Sequence, residues 1–141
     1  MTIYADTSFF VSLYVKDAHS ATADQMLRGG ERPPITPLHT AEWTHAIAQQ
    51  VFRRQMTVAE AGQLHRDFDH DCDARIWQTI SVPETALELC ADLGRRFGPK
   101  LGVRTLDSLH VACAIELNTK RFWTFDDRQK KLAKAAGLDI R

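Results

Sequence analysis

Cysteine is scarce in this chain, and the three that occur, Cys72, Cys90 and Cys113, stand 18 and 23 residues apart. That spacing forms no metal-binding couplet, and an odd number argues against a disulfide framework, so the thiols are expected to be reduced. Long apolar runs are missing too, since none approaches the roughly 20 residues that span a bilayer. The opening Met1-Thr2-Ile3-Tyr4-Ala5-Asp6 has neither the basic start nor the small-residue cleavage site of a secretory signal. A cytoplasmic protein without membrane association is the expectation. No glycine-rich phosphate loop, Gly-x-Ser-x-Gly nucleophile elbow or His-Glu-x-x-His metal helix occurs, which sets aside the chemistries those motifs carry. Linkers, low-complexity stretches and internal repeats are likewise absent. Net charge is zero, with 18 basic and 18 acidic residues.

The residues that are present suit one ordinary domain spanning 1–141. The chain is 44% hydrophobic and 26% charged, near the globular average, so a sizeable core can form. Its neutral total hides an asymmetry. Residues 1–94 carry 7 Lys/Arg against 13 Asp/Glu, a net of −6, whereas residues 95–141 carry 11 against 5, a net of +6. Two readings of the basic end stand: it attracts an anion such as RNA, or Lys120, Arg121, Arg128, Lys130, Lys131 and Lys134 solvate the outer faces of terminal elements.

Periodicity predicts strands alternating with helices. Met1–Ala5 reads as a first strand, and Asp6-Thr7-Ser8 offers capping side chains to a helix through Phe9, Phe10 and Leu13. A second helix runs from near Asp17 to before Gly29-Gly30. Thr36 and Pro37 suit the N-cap and first position of a long helix reaching about Gln55. Thr57 to about Asp71 reads as a surface helix with Val58, Ala61, Leu64 and Phe68 on its inner face. Ile76–Val82 is rich in strand formers. Pro83 opens a helix with Ala86, Cys90, Leu93 and Phe97 on one stripe, stopped by Gly98-Pro99. The next stripe is Leu106, Leu109, Cys113 and Leu117. Arg121–Phe125 is a strand ending at Asp126, Arg128–Ala136 a short helix closed by Gly137, and Leu138–Ile140 an edge strand. This order predicts an α/β fold, a central, mainly parallel twisted sheet of four to five strands flanked by helices, because parallel strands need crossover connections.

In such sheets ligands bind beyond the carboxyl ends of the strands. Asp6 follows the first expected strand and Asp126 the fourth, so both should emerge at one edge, although either acid also suits a helix N-cap. Asp107 stands near the start of its helix, where an acid also suits the dipole. Glu42 lies in the second turn of the long helix, a place where a single Glu is ordinarily solvated. The four matter as a set. Carboxylates converging at one edge repel one another unless a cation sits among them. Oxygen-only ligands select Mg²⁺ or Mn²⁺, ions that bind substrate phosphates and activate water for phosphodiester hydrolysis.

Ile3-Tyr4-Ala5-Asp6-Thr7-Ser8, Glu42 within Thr40-Ala41-Glu42-Trp43, the stretch Thr105-Leu106-Asp107-Ser108-Leu109-His110-Val111-Ala112, and Trp123-Thr124-Phe125-Asp126 together resemble the PIN domain. Within that family the look is that of the VapC-type toxins of toxin–antitoxin modules, over essentially the whole chain and in order. The resemblance implies a Mg²⁺- or Mn²⁺-dependent ribonuclease whose acidic quartet is Asp6, Glu42, Asp107 and Asp126. It also implies Ser8 and Thr124 as hydroxyls that orient carboxylates. The partners it implies are an RNA substrate, a cognate VapB-like antitoxin protein and a second copy in a homodimer. Phe9-Phe10 is bulkier than the aliphatic residues common after the first motif. His110, three residues from Asp107, is expected to be packed or hydrogen-bonded, Asp127 to be capping or solvated, and Trp43, Trp77 and Trp123 to be core.

Two other classes compete with the nuclease. One is a catalytically inactive PIN-like module that binds RNA or protein. The other, a phosphoacceptor signalling domain, needs adjacent acids at the end of the first strand, where Ala5 and Thr7 flank Asp6 instead.

Overall fold

The computed structural model describes residues 2–140; Met1, counted above in the first strand, and Arg141, counted in the basic end, lie outside them. The chain divides into two units, one of residues 1–6 and 82–141 and the other of residues 7–81. We call them the sheet unit and the helical unit.

The sheet unit contains β1 (Ile3–Ala5), α5 (Ala86–Leu101), α6 (Thr105–Glu116), β2 (Arg121–Trp123), α7 (Asp127–Ala135) and β3 (Asp139–Ile140). Its strands lie in the order β1-β2-β3, all parallel, with Ala5 opposite Trp123 and Phe122 opposite Ile140. Ile3, Tyr4, Ala5, Phe122 and Trp123 are buried, as expected of parallel strands covered on both faces. Helix α6 departs from the expected stripe. Every residue from Ser108 to Ala114 is buried, while Leu106 is 47% exposed. Small side chains at Ser108, Ala112, Cys113 and Ala114 let neighbours approach on all sides, so this is a central helix rather than an amphipathic one.

Helix α5 does not stop at Gly98-Pro99 as expected, but runs to Leu101. Pro99 removes a backbone donor only from the last turn, and the stop comes from Gly102 at φ 64°, whose N–H bonds Gly98 O at 2.9 Å. It begins at Ala86 rather than at Pro83.

The helical unit contains α1 (Thr7–Tyr14), α2 (Ser20–Leu27), α3 (Pro37–Phe52) and α4 (Val58–Asp73). Thr57 and Glu60 form a reciprocal capping box at the start of α4. Phe68 stacks on Trp43 with ring centroids 4.4 Å apart, and Phe10 meets His39 and Trp77 edge to face. Val58, expected on the inner face of α4, is 76% exposed. Tyr14 Oη donates to Asp71 Oδ2 and accepts from Trp77 Nε1 at 2.7 Å.

The strand expected over Ile76–Val82 is instead one parallel bridge, Ile35 opposite Thr79, with bonds from Ile35 N–H to Gln78 O and from Ile80 N–H to Ile35 O, both 2.9 Å. Proline explains the shortfall. The next donors along that ladder would come from positions 33 and 37, and both are Pro. Three strands, not four or five, therefore make the sheet among the described residues, and Asp126 follows the second of them rather than the fourth. Strand β2 also ends at Trp123 rather than Phe125. No helix among the described residues is long and apolar enough to cross a membrane.

Candidate active site

Parallel register sets the site in the sheet unit. Because Ala5 pairs with Trp123, the residues that follow them, Asp6 and Thr124, leave the sheet together at its carboxyl edge. The Asp6 N–H donates to Trp123 O at 3.0 Å, extending the ladder by one bond. Asp6 is only 5% exposed, so its carboxylate depends on the protein for much of its solvation.

Thr124, also buried, supplies part of it. Its Oγ1 donates to Asp6 Oδ2 at 2.8 Å and lies 3.0 Å from Gln129 Oε1, so one hydroxyl proton faces two acceptors. The same oxygen accepts from the Asp126 N–H at 3.0 Å. Asp126 caps α7, its Oδ1 accepting from Gln129 N–H at 3.0 Å. Gln129 Nε2 then donates to Asp107 O at 3.1 Å. Asp6, Asp126 and the Asp107 main chain thus sit on one hydrogen-bonded network.

Asp107 stands in the first turn of α6. Its Oδ2 accepts from the Arg104 N–H at 3.3 Å and lies 3.6 Å from Arg104 Nε. The Arg104 side chain is 74% exposed, so this ion pair adds at most about 1 kcal/mol. Oδ1 of Asp107 and Oδ2 of Asp126 take no hydrogen bond from the described residues. Between α5 and α6 runs a groove of about 330 Å³ lined by Leu87, Cys90, Ala91, Gly94, Val103, Arg104, Thr105 and Ser108.

In the helical unit Glu42 is half-buried on the second turn of α3, and its Oε1 accepts from Thr7 Oγ1 at 2.8 Å. Ser8 is half-buried one residue on. A larger cavity of about 750 Å³ beside the start of α3 includes Ile35, Pro37, Thr40 and Ile80 and none of the four acids.

Two side chains hold hydrogen bonds to these acids or their neighbours that were not expected from the sequence. Thr7 lay inside the quoted motif, and its bond to Glu42 depends on how α1 packs on α3. Gln129 carried no signal, because a Gln on a Lys-rich terminal helix looks solvated, whereas here it is 1% exposed. His110 is buried, with Nδ1 2.8 Å from Tyr4 Oη. Trp43, Trp77 and Trp123 are core, and Asp127 is exposed.

Oxygen-only donors suit a hard divalent ion in kind. Among the described residues, however, no three His, Cys, Asp or Glu side chains are gathered to hold one.

Comparison with known proteins adds the family. No curated protein sequence matches the chain. Among solved structures, the Mycobacterium tuberculosis VapC20 toxin, which cleaves the sarcin–ricin loop, superimposes with a TM-score of 0.68 at 17% identity, covering 99% of each chain. VapBC2 of Rickettsia felis, bound to a promoter DNA fragment, gives 0.69 at 15% identity over 100% of this chain and 98% of that one. FitAcB of Neisseria gonorrhoeae gives 0.72 at 12% identity over 99% and 96%. At such identities the likeness is one of fold. The PIN domain model matches residues 3–135, through both units. The chain belongs to the PIN domain family.

Proposed function

We propose that this chain is a Mg²⁺- or Mn²⁺-dependent endoribonuclease and the toxin of a cytoplasmic toxin–antitoxin pair. The observation that carries this reading is the network in which Thr124 and Gln129 tie Asp6, Asp107 and Asp126 together at the carboxyl edge of the parallel sheet. A buried acid, Asp6, with two half-buried ones beside it at that edge is a costly arrangement for a fold that has no use for them.

Asp6, Asp107 and Asp126 are the carboxylates we assign to the ion, with Glu42 as the fourth acid. When bound, such an ion polarises a phosphodiester and lowers the pKa of its water. The chain's own residues orient the acids. Thr124 holds Asp6 by its hydroxyl, Thr7 holds Glu42, and Ser8 belongs with the same set. The Asp126 cap and the Arg104 backbone fix one oxygen each of Asp126 and Asp107, leaving the other for a ligand. Arg104, exposed beside Asp107 and lining the groove, is placed to meet a phosphate of the substrate strand. The partners of this reading are an RNA, structured or single-stranded, a VapB-like antitoxin and a second copy in a homodimer.

The deciding experiment incubates purified protein with structured RNA in Mg²⁺, Mn²⁺ or excess EDTA. Cleavage confined to the metal-containing reactions is the expected result, and undiminished cleavage in EDTA defeats the metal assignment. A second reading, an inactive module that binds RNA or protein, draws support from the absence of a ready three-ligand cluster among the described residues. It predicts RNA binding without cleavage in every metal condition.

A further inference from the structure

We infer that Gln129 is a positioning residue, whose side-chain amide couples the Asp6 end of the site to the Asp107 helix. This rests on the nuclease reading and deepens it.

The amide spans three elements. Nε2 donates to Asp107 O on α6 at 3.1 Å, Oε1 faces Thr124 Oγ1 at 3.0 Å just beyond β2, and the backbone N–H on α7 donates to Asp126 Oδ1 at 3.0 Å. Its orientation is set by chemistry. Asp107 O can only accept, so the NH₂ must point to it and the carbonyl must point to Thr124. A flipped amide would place two acceptors against each other.

That orientation acts on Asp6. Thr124 has one proton, within reach of both Gln129 Oε1 and Asp6 Oδ2 at 2.8 Å. Gln129 therefore competes with Asp6 for the hydroxyl proton, drawing donor density off an oxygen that we assign to the cation, while anchoring Thr124 at the distance Asp6 requires. Burial makes the restraint stiff, because Gln129 and Thr124 are each 1% exposed and water cannot replace a lost partner. A long polar side chain at full burial also costs rotamer entropy, much of which a purely structural position on α7 would avoid with Leu.

The test uses the full chain stripped of metal, with Mn²⁺ as the probe. Isothermal titration measures Mn²⁺ affinity for the parent, Gln129→Met, Thr124→Val and the double variant, with thermal unfolding in EDTA as a check on folding. Gln129→Met is expected to weaken Mn²⁺ binding about 10- to 100-fold, and the double variant to lose little more than either single one. At saturating Mn²⁺, kcat should fall while KM for RNA stays put. Leu132→Ala, buried on the same helix but outside the network, is the structural control and should lower the unfolding temperature without moving Mn²⁺ affinity. If Gln129→Met does not fold, Gln129→Asn, whose amide is one methylene too short to span Thr124 and Asp107, carries the same expectations. An affinity within twofold of the parent, or additive losses in the double variant, overturns the inference. Failure of the parent to bind Mn²⁺ overturns the nuclease reading instead, and this inference with it.

Discussion

Asp6 illustrates how one side chain can answer to two demands. A carboxylate 5% exposed is expensive to keep ionised, yet it stands where strand register delivers it and where Thr124 can bond it. Asp6→Asn should abolish RNA cleavage while leaving the metal-free protein as stable as the parent or more so, since the amide keeps the shape and loses a charge. Thermal unfolding with EDTA and then with Mg²⁺ reads this directly. The parent should gain stability on adding metal, by linkage to native-state binding, and Asp6→Asn should gain much less. Equal gains would remove Asp6 from the ligand set. Asp127→Asn, one position past the α7 cap and exposed, is expected to keep full activity.

Two glycines, one inside α5 and one at its end, have opposite effects. Gly94 has an open Cβ position in the helix interior, so Gly94→Ala should stabilise by about 1 kcal/mol through backbone entropy alone. Gly102 also has open space around it, yet its φ of 64° is left-handed, so Gly102→Ala should destabilise by about 1 kcal/mol. Urea midpoints compare the two variants, and shifts of the same sign would contradict the assignment of Gly102 as the helix stop. In α4, Thr57→Ala breaks the capping box and should cost about 1 kcal/mol without altering cleavage per folded molecule.

One buried and one half-buried group give the folded protein an alkaline limit. Burial pushes the Cys113 thiol up to about 11 from an ordinary value of 9, only partly offset by its hydrogen bond with Tyr4. Burial and the Asp71 carboxylate likewise raise the Tyr14 hydroxyl above its ordinary 10. Both folded-state values are raised, so their contribution is complete below pH 9 and is lost as pH climbs, because the unfolded chain releases these protons first. For Cys113 the loss between pH 9 and 11 is on the order of 2–3 kcal/mol. Denaturant unfolding from pH 8 to 10.5 should show falling stability in the parent and a shallower fall in Cys113→Ala. Charge is also a property of the full chain. With a net of +6 over residues 95–141, RNA binding should weaken steeply as salt rises, and binding indifferent to salt would leave those lysines as solvating residues.

Local chemistry was enough to place most of this protein in advance. The alternation of strands and helices, the capping at Thr36, the acids at Asp6 and Asp126 and the motif that marks the family all depend on neighbours within a few residues, which a sequence displays directly. Other features depend on distant partners. Whether Ile76–Val82 forms a strand was settled by prolines at 33 and 37, about 40 residues away, that cannot donate to its ladder. Whether α6 has one apolar face or is buried all round depended on what packs against it. Gln129 joins the hydrogen-bonded network around these acids only because α7 folds back beside Asp107 and Thr124, and a hydrogen bond spanning 22 residues leaves no periodic trace in the chain.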